Sequence, residues 1–315
     1  MSRRLEINEV APRDGLQMER HHVPTDSKIA FIDALSDCGF ARIEVTSYTS
    51  PKAIPTLADA EAVMAGVKRV AGVKYTALVP NLRGMERAVE GRPDEINLIM
   101  SASETHNRAN LRMTRAQSLA TLKEVIRAAE AVDLPCNVSL STAFGCPFDG
   151  EVEPTEVIAL ARALADAGAA GITVCDTTGM AYPTQVASLC EGLQQALPSV
   201  PLTIHLHNTR GMGLANALAA FNAGIDRFDG AAGGLGGCPY APGASGNVST
   251  EELVHMFDAM GCQTGVGLDA LLAVVGSMSG LVGRPVSSQL TQAGPRLRRF
   301  PPPSWLAEQF QEARP

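Results

Sequence analysis

Short runs of strand-forming residues alternate along the chain with longer runs of helical period rich in Ala, Leu and Glu. This order predicts a parallel sheet joined by crossover helices. Eight runs read as strands: Leu5 to Val10, Arg42 to Thr46, Lys74 to Val79, Glu95 to Met100, Cys136 to Ser141, Gly171 to Asp176, Leu202 to His207 and Arg227 to Ala231. Three of the intervening helices end on a glycine just before the next strand, at Gly39, Gly168 and Gly224, where a C′ residue needs positive φ. Thr25-Asp26 and Ser249-Thr250-Glu251-Glu252 have the composition of helix starts. Eight such units predict an α/β fold, a closed (β/α)8 TIM barrel, with a doubly wound open sheet as the alternative that shares its alternation. Thr264 to Val282 reads as helix added after the eighth unit, and Phe300-Pro301-Pro302-Pro303 can sustain neither helix nor sheet. The expected organisation is one barrel domain over residues 1–290, carrying additional C-terminal helices, and a Pro-rich tail over 291–315.

Composition narrows the setting. A chain of 315 residues, 45% hydrophobic and 19% charged, is ordinary for a single large folded domain. Its formal charge of −7 argues against nucleic acid or a membrane surface as partner, since neither polyanion is drawn to an acidic protein. Seven widely spaced cysteines, an odd number in a chain too large to need disulfide staples, point to a reducing compartment. With no apolar run of spanning length, the expectation is a cytoplasmic protein.

In a barrel of this kind chemistry sits where strands end, so polar residues there carry weight. The first strand runs into Pro12-Arg13-Asp14-Gly15-Leu16-Gln17, the second holds Glu44, the sixth ends on Asp176 and the seventh carries His205-Leu206-His207. Residues i and i+2 of a strand share a face, so His205 and His207 can serve one metal ion or pair inside the barrel through hydrogen bonds. Asp14, on the neighbouring first strand once the barrel closes, favours the metal. Nitrogen, carboxylate and amide ligands suit Mg2+ or Mn2+, and zinc accepts the same set. After the eighth strand comes Gly233-Gly234-Leu235-Gly236-Gly237-Cys238, which lacks the Lys of a phosphate-binding loop. Its lone cysteine reads either as a small buried apolar group or as a proton donor on a lid. His106 is a candidate for substrate contact, His21 and His22 belong to a solvated loop, and Arg42 reads as a surface charge.

The residues Pro-Arg-Asp-Gly-Leu-Gln at 12–17, Ile-Glu-Val-Thr-Ser at 43–47 and Gly-Gly-Leu-Gly-Gly-Cys-Pro-Tyr-Ala-Pro-Gly-Ala-Ser-Gly-Asn at 233–247 resemble the 3-hydroxy-3-methylglutaryl-CoA lyases. These belong to a wider group of metal-dependent barrels that includes isopropylmalate and homocitrate synthases. The resemblance spans about residues 5 to 290. It implies metal ligands at Asp14, His205, His207 and Asn247. It also implies catalytic roles for Arg13, Glu44, Asp176, His205 and Cys238, substrate contacts from Arg13 and Gln17, an acyl-CoA substrate and a homodimer. The implied reaction cleaves hydroxymethylglutaryl-CoA to acetoacetate and acetyl-CoA, chemistry of leucine degradation and ketone-body metabolism. Arg210 falls where the best-known lyases read Tyr, in His205-Leu206-His207-Asn208-Thr209-Arg210-Gly211, and either binds an extra substrate carboxylate or makes a surface ion pair. Cys175-Asp176-Thr177-Thr178-Gly179 and Gln17-Met18-Glu19 depart from the usual motifs as well. These departures keep a citramalyl-CoA lyase, a condensing synthase and a metabolite-binding barrel in view as alternatives.

Overall fold

The computed structural model describes residues 2–237, 246–303 and 305. Eight parallel strands close into a barrel in sequence order: β1 (Glu6–Glu9), β2 (Arg42–Ser47), β3 (Lys74–Leu78), β4 (Glu95–Ser101), β5 (Cys136–Ser141), β6 (Gly171–Asp176), β7 (Leu202–Leu206) and β8 (Arg227–Gly230). β8 pairs back onto β1 with Glu6 opposite Arg227 and Asn8 opposite Asp229, which decides between the closed barrel and the open sheet. The repeated glycines behave as their position requires: Gly39, Gly168 and Gly224 have φ of +91°, +101° and +97°. A Cβ on Gly39 would also lie 2.4 Å from the Gly265 carbonyl oxygen, so this turn excludes a side chain twice over.

Outward-facing Ile7, Ile43, Val45, Ile96, Leu98, Val138, Leu140, Ile172, Val174, Ile204 and Phe228 are buried against the surrounding helices and supply the core. The inward-facing set differs from a usual barrel, where branched apolar residues fill the layers. Here the axis is lined by Asn8, Glu44, Thr76, Asn97, Asn137, Ser139, Thr173, Thr203, His205 and Asp229. A polar interior survives only if it is hydrogen-bonded. Asn137 Nδ2 donates to Asn97 Oδ1 at 3.0 Å and to Thr173 Oγ1 at 2.9 Å, and Ser139 Oγ donates to Asn97 Oδ1 at 2.9 Å.

Several local expectations change. Helix Thr25–Ser36 starts without a side-chain cap, because its N-cap position falls on Pro24; Thr25, the first helical residue, donates its Oγ1 to Asp59 Oδ2 at 2.7 Å. Helix Thr250–Ala259 likewise lacks one, since Ser249 Oγ donates to the Ser287 carbonyl at 3.3 Å. The added helix runs over Leu268–Val282, followed by the short helix Gln289–Ala293. Arg42 is no surface charge: with its side chain 12% exposed it sits at the N-terminal floor of the barrel, paired with Glu6 at 2.7 Å and Glu95 at 3.3 Å. No helix among the described residues is long and apolar enough to cross a membrane.

Candidate active site

The C-terminal end of the barrel gathers its functional groups from opposite ends of the sequence. After β1 the chain makes one turn of π-helix, Ala11–Gly15, which turns Arg13 and Asp14 towards the axis. A Cβ on Gly15 would come within 2.8 Å of Leu235 Cβ, so the turn and the glycine loop pack closely only because Gly15 has no side chain. Arg13 is held from two sides: its Nε donates to Glu44 Oε2 at 2.5 Å and its Nη1 to Asp14 Oδ1 at 2.7 Å. Glu44 is fixed in turn by Asn97 Nδ2 at 2.9 Å. Asn247 Nδ2 donates to Asp14 Oδ2 at 2.7 Å and to the Leu235 carbonyl at 2.9 Å.

His205 and His207 share the inward face of the seventh strand's end, their ring centroids 5.2 Å apart. His205 Nδ1 lies 3.2 Å from Asp229 Oδ2, and Asn8 Nδ2 donates to the other oxygen of Asp229 at 2.9 Å. His207 Nδ1 is buried and has no hydrogen-bond partner among the described residues. One ligand atom each from Asp14, His205 and His207 fall within 4.8 Å of one another. Two imidazoles, a carboxylate and a buried ring nitrogen left unsatisfied fit a metal ion better than a closed hydrogen-bond network.

The electrostatics agree with that fit. Burial pushes the His207 imidazole down to about 3, and the neighbouring His205 adds to the shift. Burial alone would raise Asp14, but Arg13, His205 and His207 overcome it and hold the carboxyl down to about 2. A neutral imidazole beside a carboxylate is the state that ligates a metal at neutral pH. For His205, burial opposes the proton, yet the hydrogen bond and charge of Asp229 dominate and raise its affinity above the ordinary imidazole value.

These groups open onto a cavity of about 110 Å³ that Gln17, His106, Asn110, Ser141, Cys175 and Thr177 also line. Gln17 and His106, both candidates for substrate contact, line it, and Ser101 Oγ lies 2.7 Å from His106 Nδ1. Asp176 does not face this cavity. It has the strand parity of Ile172 and Val174, and its two oxygens accept the backbone N–H groups of Met180 and Ala181 at 2.8 and 3.1 Å. Arg210 Nη1 donates to the carbonyls of Thr178 and Gly179 at 3.1 and 2.7 Å, and no acidic partner among the described residues pairs with it. His21 and His22 are exposed. Cys238 lies outside the described residues. Sequence reading passed over Asp229, Asn97, Asn8 and Cys175; their signal is that each falls on the inward register of its strand.

Known proteins place this geometry in a family. The HMGL-like family model matches residues 4–277. Hydroxymethylglutaryl-CoA lyase YngG of Bacillus subtilis is 45% identical over 92% of this chain and 97% of its own length. The (R)-citramalyl-CoA lyase of Chloroflexus aurantiacus is 41% identical over 92% of this chain and 94% of its own. An HMG-CoA lyase of Acinetobacter baumannii, solved with coenzyme A and 3-methylmalate, superposes with a TM-score of 0.91 at 47% identity, covering 95% of this chain and 98% of that one. Family model, barrel and near-full-length similarity agree, and the chain belongs to the HMGL-like family, among its carbon–carbon lyases.

Proposed function

We propose that this chain cleaves the C2–C3 bond of a 3-hydroxyacyl-CoA, with hydroxymethylglutaryl-CoA as substrate and acetoacetate and acetyl-CoA as products. The observation that carries the reading is the convergence of Asp14, His205, His207 and the pinned Arg13 on one cavity. Asp14, His205 and His207, with the Asn247 amide oxygen, are the residues to hold the ion. Mg2+ or Mn2+ bound there supplies Lewis acidity that lowers the pKa of the 3-hydroxyl.

The chain's own groups do the rest. Glu44 and Asp14 occupy Arg13 Nε and Nη1, leaving Nη2 to meet the thioester oxygen as enolate charge grows there. One well-placed donor of this kind contributes about 2.7–4 kcal/mol to the transition state. In this reading Asp229, on the cavity wall beside His205, receives the hydroxyl proton, while Asp176 holds the Thr177–Ala181 loop from outside the barrel. Gln17 contacts the acyl group. Arg210, tied to the same loop, orders it rather than reaching the substrate. Cys238, at the end of the glycine loop, protonates the enolate carbon. A second depression of about 630 Å³ lies beyond the ends of β2 and β3, lined by Tyr48, Pro51, Lys52, Pro80 and Arg83. Its cations and flat apolar walls suit the phosphates and base of coenzyme A. We assign the catalytic domain to residues 1–290, the 291–315 segment to a tail, and the protein to the cytoplasm as a homodimer.

Similarity to a citramalyl-CoA lyase supports a second substrate. The two thioesters differ by one methylene between C3 and the carboxylate, a change worth only about 1–3 kcal/mol in a pocket of fixed size. Turnover of both by Mn2+-reconstituted protein therefore tests the reading. Product release from hydroxymethylglutaryl-CoA at the higher kcat/KM is expected, and a preference for citramalyl-CoA transfers the assignment. Cleavage of neither, with EDTA-treated and metal-loaded samples indistinguishable, overturns it. Cys238→Ser is expected to lose most turnover while keeping Mn2+ affinity.

A further inference from the structure

Glu9 differs from the other polar strand residues near the site. It ends β1 with the parity of Ile7, so its side chain enters the layer between barrel and helices, where it is fully buried. A carboxyl in such a layer is costly unless it is hydrogen-bonded or gives up its charge. One oxygen, Oε1, accepts two backbone N–H groups, from Ala11 at 2.8 Å and from Ala232 at 3.0 Å. Ala11 opens the turn that carries Arg13 and Asp14. Ala232 opens the glycine loop that leads to Cys238. A single atom therefore joins the two segments that frame the cavity from opposite ends of the chain.

The other oxygen has its own match. Among the described residues neither Glu9 Oε2 nor Thr250 Oγ1, both buried, has a hydrogen-bond partner, and the Thr250 side chain is near enough to oppose the effect of burial on the carboxyl. Thr250 Oγ1 is pressed towards β8, where a Cβ on Gly230 would come within 2.7 Å of it. Beside them Glu251 Oε2 accepts the Gly233 N–H at 3.1 Å, which secures the next residue of the loop.

We propose that Glu9 is a positioning residue that couples the Arg13–Asp14 turn to the glycine loop, its carboxyl accepting from both segments through Oε1 and donating through Oε2 to Thr250. The proposal deepens the lyase reading and rests on it for its catalytic consequence. A donor at Oε2 requires the protonated acid. Burial pushes Glu9 up to about 8, opposed by its hydrogen bonds and reinforced by the charge of Glu251, so the proton stays on at neutral pH. The ionisable groups facing it are Glu251 from helix Thr250–Ala259 and the Cys38 thiol beyond helix Thr25–Ser36. Loss of the bracket lets the turn and the loop move independently, and displacement of reacting groups by about 1 Å costs about 10²-fold in rate.

Glutamine reproduces the neutral acid, with a carbonyl to accept and an amide to donate. Glu9→Gln is expected to keep kcat within about threefold, whereas Glu9→Leu loses about 10²-fold in kcat with little change in KM. Wild-type kcat should fall as pH rises through about 8 while Glu9→Gln stays level there. Amide hydrogen exchange on the metal-free protein gives a readout independent of substrate: Glu9→Leu should speed exchange in residues 10–17 and 231–237 together and leave helix Arg115–Glu130 unchanged. Should Glu9→Leu not fold, Thr250→Val, which removes only the acceptor for Oε2, is expected to speed exchange in the same two segments. Equal loss of turnover in Glu9→Gln and Glu9→Leu, or an alkaline fall in kcat that Glu9→Gln shares, overturns the proposal. So does unchanged exchange in either segment. If wild type turns over neither thioester but the exchange pattern holds, the substrate assignment fails and the coupling stands.

Discussion

The two ends of this barrel are both charged, and they use charge differently. At the N-terminal floor Arg42 meets Glu6 and Glu95, and Arg227 meets Glu6 at 3.1 Å, so each guanidinium faces a carboxylate. At the C-terminal end His207 Nδ1 has no partner among the described residues, burial holds His207 down to about 3, and Arg13, His205 and His207 hold Asp14 down to about 2 against burial. Charges paired with one another close a structure. Charges held in one protonation state with a ligand position left open prepare a site. Which end is closed and which is open follows from what completes each set of polar groups.

The largest expected effect comes from removing a group at the open end. His207→Ala takes away an imidazole that contributes to no hydrogen-bond network through Nδ1, so folding should be little affected while the ion loses a ligand. Mn2+ affinity should drop by more than the roughly 10–100-fold that outer-shell partners cost, and Asp229→Asn, acting through His205, should fall within that range. Calorimetric titration with Mn2+ checks both. A variant lacking His207 that binds Mn2+ as tightly as wild type would erase the distinction between the two ends.

The floor should respond in the opposite sense. Arg42→Met leaves Glu95 without its cation and Glu6 with Arg227 alone, and breaking a buried pair from one side costs about 3–5 kcal/mol. Glu6 is 37% exposed, so solvent recovers part of its share and the lower end of that range is expected. Urea unfolding should show the loss, while kcat of the folded fraction and Mn2+ affinity stay unchanged. A fall in kcat without a fall in stability would mean that the floor belongs to the site.

How much of this was legible without coordinates follows from what each residue pattern encodes. The strand ends are right to within a residue or two, because period, glycine stops and βα order all act locally. The shared face of His205 and His207 was legible because His-x-His on a strand fixes it by geometry alone, and closure of the barrel brings Asp14 beside them. Asp176 shows the limit: its position at the end of β6 suggested the site, but parity turns it to the helix layer and puts Cys175 on the cavity wall instead. Arg42, Asn8, Asn97 and Asp229 were misread or passed over for one physical reason. An inward polar residue in a hydrated barrel produces the same alternation as an outward polar residue on a half-exposed strand, and only closure of the sheet separates the two. The caps were misread too: the first helix begins one residue after Pro24, which cannot cap it, and a tertiary partner claims the Ser249 hydroxyl.

The smallest expected effect concerns Asp176, which tests whether charge at the open end is paid for in stability even when it does not touch the cavity. Burial raises its carboxyl to about 6 against an ordinary 3.8, opposed by the Met180 and Ala181 N–H groups. The folded state thus holds this proton more tightly than the unfolded state. Ionisation then opposes folding, so this residue's contribution becomes less favourable as pH rises from about 4 to about 6 and levels off above. Asparagine cannot ionise, and Asp176→Asn removes that slope whatever else it changes. The stability difference between wild type and Asp176→Asn, from urea unfolding at pH 5 and pH 7, should therefore move by about 1 kcal/mol against wild type over that interval. A constant difference would mean that the two backbone donors offset burial completely. The Thr177–Ala181 loop would then be held at no electrostatic cost, as the floor is.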